Sequence, residues 1–215
     1  MKVTLLYKVY RALRRGWKRM TPEAQQAVRT FVASQKTAHG YMNAGGHEDA
    51  YYDQFGRVLE AVFSPRRLVH TRIDLTVQES RHRDSVYGRF FDFLAGDGCP
   101  QTSDLCPHTS SAVCCVLAMQ HQTGRMPDAT YVEWLRQRQD ETGGFYASEV
   151  APVPDLLTTA VALFTLRLIG VEVRDATSFV QAHWWEGGGF VPTLLDDYSD
   201  VEYVFYGLLA LGSQK

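Results

Sequence analysis

The chain has 215 residues, 45% hydrophobic and 21% charged, with a formal net charge of -2. That is enough for one domain with a substantial core, and the near-neutral charge argues against bulk binding of nucleic acid. No uninterrupted apolar run approaches the ~20 residues that span a bilayer. Four cysteines, Cys99, Cys106, Cys114 and Cys115, crowd into one short segment. A secreted disulfide framework would spread them, so they read as reduced cytoplasmic thiols or as part of a metal site. The N-terminus carries recurring basic residues and no small-residue cleavage site, so no signal peptide is expected.

Residues 3–19 form an amphipathic helical pattern. Leu6, Val9, Tyr10, Leu13 and Trp17 share one face, and Lys8, Arg11, Arg14, Arg15, Lys18 and Arg19 spread over the rest. This is either an outer helix with a solvated basic face or a surface for a partner or an anionic membrane, by peripheral contact. Thr21-Pro22-Glu23-Ala24 is a helix start with Thr as N-cap and Pro in the first turn.

The segment FVASQKTAHGYMNAGGHEDAYYDQFGRVLEAVF, residues 31–63, contains a Gly40-Tyr41 pair, then Asp49 eight residues later, then Gly56 seven beyond it. Residues 64–91 break the pattern and hold Arg66, Arg67, Arg72 and Arg81, the candidate anion-binding residues for a diphosphate, a carboxylate or an acidic partner. A solvated linker and outer helix would look the same. The segment FFDFLAGDGCPQTSDLCPHTSSAVCCVLAM, residues 90–119, offers Asp104 as a degenerate counterpart of Asp49.

The pattern is clearest near the C-terminus. WLRQRQDETGGFYASEVAPVPDLLTTAVALFTLRLIG, residues 134–170, and FVQAHWWEGGGFVPTLLDDYSDVEYVFYGLLALG, residues 179–212, align with Gly144-Phe145 over Gly189-Phe190. Asp155 and Asp200 then each fall ten residues after the aromatic, and Ala162 and Gly207 each fall seven after the aspartate. Four units, at about 28–63, 78–120, 131–170 and 177–212, read as a repeat. In each, an outer helix ends at glycines that tolerate positive φ, and an aspartate caps an apolar inner helix. The small residue two turns on is expected at a helix crossing. Asp200 therefore reads as a helix cap, and Asp196 and Asp197 as loop acids. The DDxxD string they form resembles the magnesium motif of class I terpene synthases, which works from inside a long helix rather than a loop.

The Q-x-x-x-GGF turn and the D-x-x-x-x-YYGLLAL type of inner helix resemble the repeats of the protein prenyltransferase β-subunit and squalene cyclase superfamily, over most of residues 28–214. The resemblance implies an all-α fold in which αα-hairpins form an α/α toroid or incomplete barrel, a single domain over residues 1–215. It implies an isoprenoid or other lipid-like ligand in an aromatic-lined cavity, and activity as a prenyl transferase or its subunit. Tyr51, Tyr52, Phe55, Tyr203, Phe205 and Tyr206 are the cavity-lining candidates, and plain core packing is the alternative for each.

Family members bind zinc through an Asp-x-Cys pair and a later histidine. Asp104-Leu105-Cys106 matches the pair, Thr158 and Tyr203 stand where the histidine belongs, and His108 is the nearby substitute. Zinc on Asp104, Cys106 and His108 would have the three protein ligands a catalytic site needs; small buried inert thiols are the alternative. The family's basic G-R-x-x-K run is replaced by GDGCPQTS, and the D-x-D-D acid of squalene-type cyclases is absent. No residue is assigned as catalytic, and fold alone does not give function. The competing expectation is a non-catalytic helical scaffold that binds a protein or lipid partner or forms a homo-oligomer. Four hairpins leave terminal flanks exposed, so the C-terminal unit is expected to be covered, by residues 3–19 or by another chain.

Overall fold

The computed structural model describes residues 4–64, 85–95 and 107–214. Within them the protein is all-α: nine helices and one two-stranded hairpin. The helices are α1 (Leu5–Arg19), α2 (Pro22–Ser34), α3 (Ala50–Phe63), α4 (Val86–Ala95), α5 (Ser110–Gln122), α6 (Ala129–Arg136), α7 (Leu156–Leu168), α8 (Thr177–Ala182) and α9 (Val201–Ser213). Strand β1 (Trp184–Trp185) pairs antiparallel with β2 (Gly189–Phe190). Among the described residues no helix is long and apolar enough to cross a membrane.

Helix starts follow the capping residues. Asp49, Asp155 and Asp200 each stand immediately before a helix and accept hydrogen bonds from its first turn, from Tyr51 N, from Thr158 N, and from Glu202 N and Tyr203 N respectively. Before α5 the cap is Thr109, whose hydroxyl accepts from Ala112 N at 3.3 Å. The pattern had pointed to Asp104, which lies five residues earlier and outside the described residues. Replacing Asp155 or Asp200 with Ala should lower stability by ~0.5–2 kcal/mol, read as a shift in the urea midpoint at unchanged slope.

The glycine-aromatic turns fold alike. Lys36 bridges Tyr41, Gln139 bridges Phe145, and Trp184 pairs with Phe190. Gly143 and Gly188, each two residues before the aromatic, have φ of +93° and +99°, and a Cβ there would sit 2.3 Å from Asp175 O or 2.4 Å from Ala27 O. The glutamine of the Q-x-x-x-GGF turn has a mechanical role: Gln139 donates to Gly143 O and Arg174 O, at 3.0 and 2.8 Å, and accepts from Arg174 N.

At Gly56 and Gly207 the nearest neighbour is a ring and not the helix expected there. A Cβ on Gly56 would lie 2.2 Å from the Tyr41 ring, and one on Gly207 would lie 2.3 Å from the Phe190 ring. The glycine makes room for the aromatic of its own turn, because a ring lying flat on a helix needs a position without a side chain. The closest helix crossing is between α1 and α9. There a Cβ on Gly16 would lie 2.0 Å from Leu208 O, and one on Gly212 would lie 1.8 Å from Ala12 O.

Helix α3 neighbours α9, α9 neighbours α7, α7 neighbours α5, and α5 neighbours α4, while α1 packs on α9 and α3. Adjacent helix starts are joined in a recurrent way. Ser110 N donates to Ala147 O at 2.8 Å, and Leu156 N donates to Pro192 O at 2.9 Å. Both acceptors lie two residues after a turn aromatic. At the start of α9 the backbone N–H of Ala44, three residues after Tyr41, favours the charged form of the Asp200 carboxylate.

Arginines close the opposite ends. Arg14 donates to Val62 O and Ser64 O, and Arg29 donates to Phe63 O, at the end of α3. Arg15, Arg19 and Arg167 donate to Gly212 O, Leu211 O and Gln214 O at the end of α9. Cations there satisfy orphan carbonyls and meet the negative end of the helix dipole. The basic side of α1 is therefore only partly solvated, and its apolar side, with Leu13 and Trp17, is buried.

Candidate functional site

Counting from each capping residue puts the inner helices on one scale. The sixth residue is Phe55, Cys115, Val161 or Tyr206, and the second is Tyr51, Ser111, Leu157 or Glu202. Second and sixth positions lie on one helix face. All of these except Glu202 keep partial solvent exposure, although on α5 and α7 the flanking positions are buried. Helices α5 and α9 are separated by α7, yet the Cys115 thiol bears electrostatically on Tyr206. Burial is the main influence on both groups and pushes phenol and thiol well above their ordinary ranges. Side chains at the sixth position are thus deep and still touch solvent.

An aromatic cluster joins α3 and α9. Ring centroids of Tyr51 and Phe55 are 4.9 Å apart, of Tyr51 and Tyr52 5.4 Å, and of Phe55 and Tyr206 5.9 Å. Phe205 fills the seam, 5.1 Å from Phe55 and 5.4 Å from Tyr206. Tyr203 lies 6.4 Å from Tyr206 and 6.3 Å from the exposed Tyr198. The six aromatic candidates are thus brought together. All are half-buried.

The sequence reading missed the group at the centre. Glu202 is only 8% exposed. Its carboxylate accepts from the Tyr51 hydroxyl at 2.8 Å, and the nearby hydroxyls of Tyr52 and Tyr206 also favour its charged form. Burial pushes its protonation upward, and neighbouring Asp200 adds to this, against the tyrosine hydrogen bonds. Asp200, 2% exposed, is pushed the same way by burial. The signal was present: Glu202 is the one charge inside VEYVFYGLLALG, at the second position.

These shifts predict a pH-dependent phenotype. A carboxyl whose pKa is raised by folding contributes stability below its unfolded pKa and loses it as pH rises through the folded value. Glu202→Gln, which mimics the neutral form, should therefore melt higher than the native protein at pH 8. That advantage should shrink as the pH is lowered toward 4.5, as read by thermal unfolding across the range. His183 works in the opposite sense. It is fully buried, its Nδ1 lies 2.8 Å from Phe179 O, and burial pushes its pKa down. Its contribution is lost as pH falls below the ordinary imidazole range.

The other candidates are placed differently. His108 is exposed, and Asp104 and Cys106 lie outside the described residues, as do Arg66, Arg67, Arg72 and Arg81. Among the described residues no three His, Cys, Asp or Glu side chains could hold a metal ion. Cys114 is buried, with its thiol pushed up to about 12 by desolvation, so it is unreactive at neutral pH. Asp196 accepts from Thr193 N and Oγ1, at 3.0 and 2.7 Å, as a loop brace. An outer groove of about 390 Å³ lies among Glu133, Arg136, Gln137, Gln139, Glu172 and Arg174, and the Gln139 clamp already occupies its polar groups.

No protein-family model matches this chain, and no curated protein is significantly similar to it.

Proposed function

We propose that the chain is an αα-hairpin repeat protein closed into a small α/α toroid, and that its centre binds an isoprenoid or similar apolar chain. The observation that carries this reading is the shared register of half-buried Phe55, Cys115, Val161 and Tyr206, with Cys115 acting electrostatically on Tyr206 across α7; we read it as the lining of a central recess. Aromatic and aliphatic surface that stays half-exposed in the middle of a protein is unfavourable unless something covers it. The equivalent junctions at Ser110, Leu156 and Asp200 support the closed arrangement. The reading is one of binding, and it needs neither zinc nor a catalytic residue; a transferase role, or a subunit role in one, goes beyond it.

Calorimetric titration with an uncharged prenyl alcohol tests the proposal. Saturable binding of one equivalent is expected, abolished by Val161→Trp, which fills the recess. Absence of binding, or binding unaffected by a folded Val161→Trp protein, would overturn it.

A scaffold role has its own support. Val150 and Leu195, each five residues after a turn aromatic, are exposed together with Leu194. Apolar loop tips at matching positions suit docking to a protein or lipid partner. Replacing all three with Ser should abolish such docking and leave alcohol binding intact.

A further inference from the structure

The described residues divide their charge between two ends of the inner helices. The loops that lead into α3, α7 and α9, residues 37–49, 146–155 and 191–200, hold no lysine or arginine. Glu48, Glu149 and Asp197 are exposed on them, together with the apolar tips Val150, Leu194 and Leu195. The bonds from Ser110 N to Ala147 O and from Leu156 N to Pro192 O set the last two loops over neighbouring helix starts. The other end is basic. Helix α1 reaches the last turns of three inner helices: Arg14 bonds the end of α3 and Arg15 the end of α9, and Lys8 adds to burial in holding down the protonation of His121 in the last turn of α5. Burial, then the like charges of Arg167, Arg11 and Arg19, lower the Arg15 pKa. Among the described residues no carboxylate pairs with Lys8, Arg11, Arg125 or Arg167. Arg11 and Arg125 are exposed, and so are their apolar neighbours in sequence, Tyr7 and Met126.

We propose that these two ends dock on each other between copies of this chain, the acidic loop tips of one copy on the basic α1 end of the next. The inference rests on Val150, Leu194 and Leu195 being a docking surface, and it names the occupant. Apolar side chains on both faces supply burial, and the unlike charges set orientation and speed encounter. A net charge of only -2 leaves little overall repulsion between copies. An anionic membrane would be repelled by the loop acids. The two faces lie at opposite ends, so a pair of copies leaves one of each unfilled. Association therefore grows past two, into a ring or a filament.

Sedimentation velocity of the full chain is the test. At about 0.01 M salt, where the screening length is ~30 Å, the average sedimentation coefficient should rise with protein concentration past that of a dimer. At about 1 M salt, where it is ~3 Å, the coefficient should fall toward that of the monomer. Two charge reversals follow, Glu48→Lys with Asp197→Lys on one end and Arg11→Glu with Arg125→Glu on the other, each confirmed as folded by circular dichroism. Each should be monomeric alone, and the two should associate when mixed. A native chain that is monomeric at every concentration and salt would overturn the proposal and leave the loop tips to a different partner. Growth that stops at a dimer, or that either reversal leaves unchanged, would overturn it, as would a mixture that stays monomeric. If Val150→Ser with Leu194→Ser and Leu195→Ser leaves association unchanged, the tips are not the contact and the proposal falls.

Discussion

Deletion of residues 1–19 should leave a protein that aggregates rather than a smaller folded monomer. Helix α1 lies along α9 closely enough that Gly16 and Gly212 admit no side chain at the crossing. Leu5, Ala12, Leu13 and Trp17 are buried, and Trp17 stacks 4.5 Å from Phe63 with the Arg29 guanidinium 4.9 Å from its ring. Truncating single large side chains of this kind costs ~2–5 kcal/mol each. Their sum approaches the whole ~5–15 kcal/mol by which domains are folded. The deletion also removes Arg14, Arg15 and Arg19 from carbonyls at the ends of α3 and α9. Sedimentation should show large species, with dye binding to exposed apolar surface. A stable, tightly folded monomer of the truncated chain would contradict this account of α9. A milder probe of the same crossing is Gly212→Val, which should separate the helices without removing the caps.

Phe190→Ala should be the most damaging single truncation, at ~3–5 kcal/mol. The ring is 2% exposed and lies on Gly207, with Trp184 edge-on at 5.3 Å. No neighbour can move in, because the backbone of α9 forms one wall. The reciprocal change, Gly207→Ala, puts a methyl 2.3 Å from a rigid ring and should cost ~1–3 kcal/mol despite a gain in helix propensity. Combining it with Phe190→Leu should recover part of the loss, a coupling that a double-mutant cycle measures directly. Strictly additive effects would mean that ring and glycine do not act as a pair.

Much of this was legible in the residues. The capping aspartates announced α3, α7 and α9 within one position, because a carboxylate before an apolar helix has one favourable use. The contact of residues 3–19 with the C-terminal helix followed from an apolar flank that needed a cover. The six aromatics come together because α3 and α9, which carry them, are neighbours. What escaped is instructive in each case. Asp104 looked like a cap because spacing alone cannot distinguish Asp from Thr109, which stands at the true start. The glycines suggested crossings, since absence of a side chain does not say whether a helix or a ring takes the space. Glu202 was not singled out, because its hydrogen-bond partner Tyr51 stands 151 residues away in sequence. The arginines of α1 looked solvated because carbonyl acceptors leave no trace in sequence.

The packing of α1 and α3 on α9 has a consequence for how the protein comes apart. In a linear array of helical pairs each end has one neighbour, so the ends fray first and unfolding spreads inward. Here α3 packs on the last helix, and the first helix lies along that same helix. Opening at either end must break contacts made by the other. Amide hydrogens of α3 and α9 should therefore exchange through one common event, at nearly one free energy, in place of a gradient of protection from the termini to the middle.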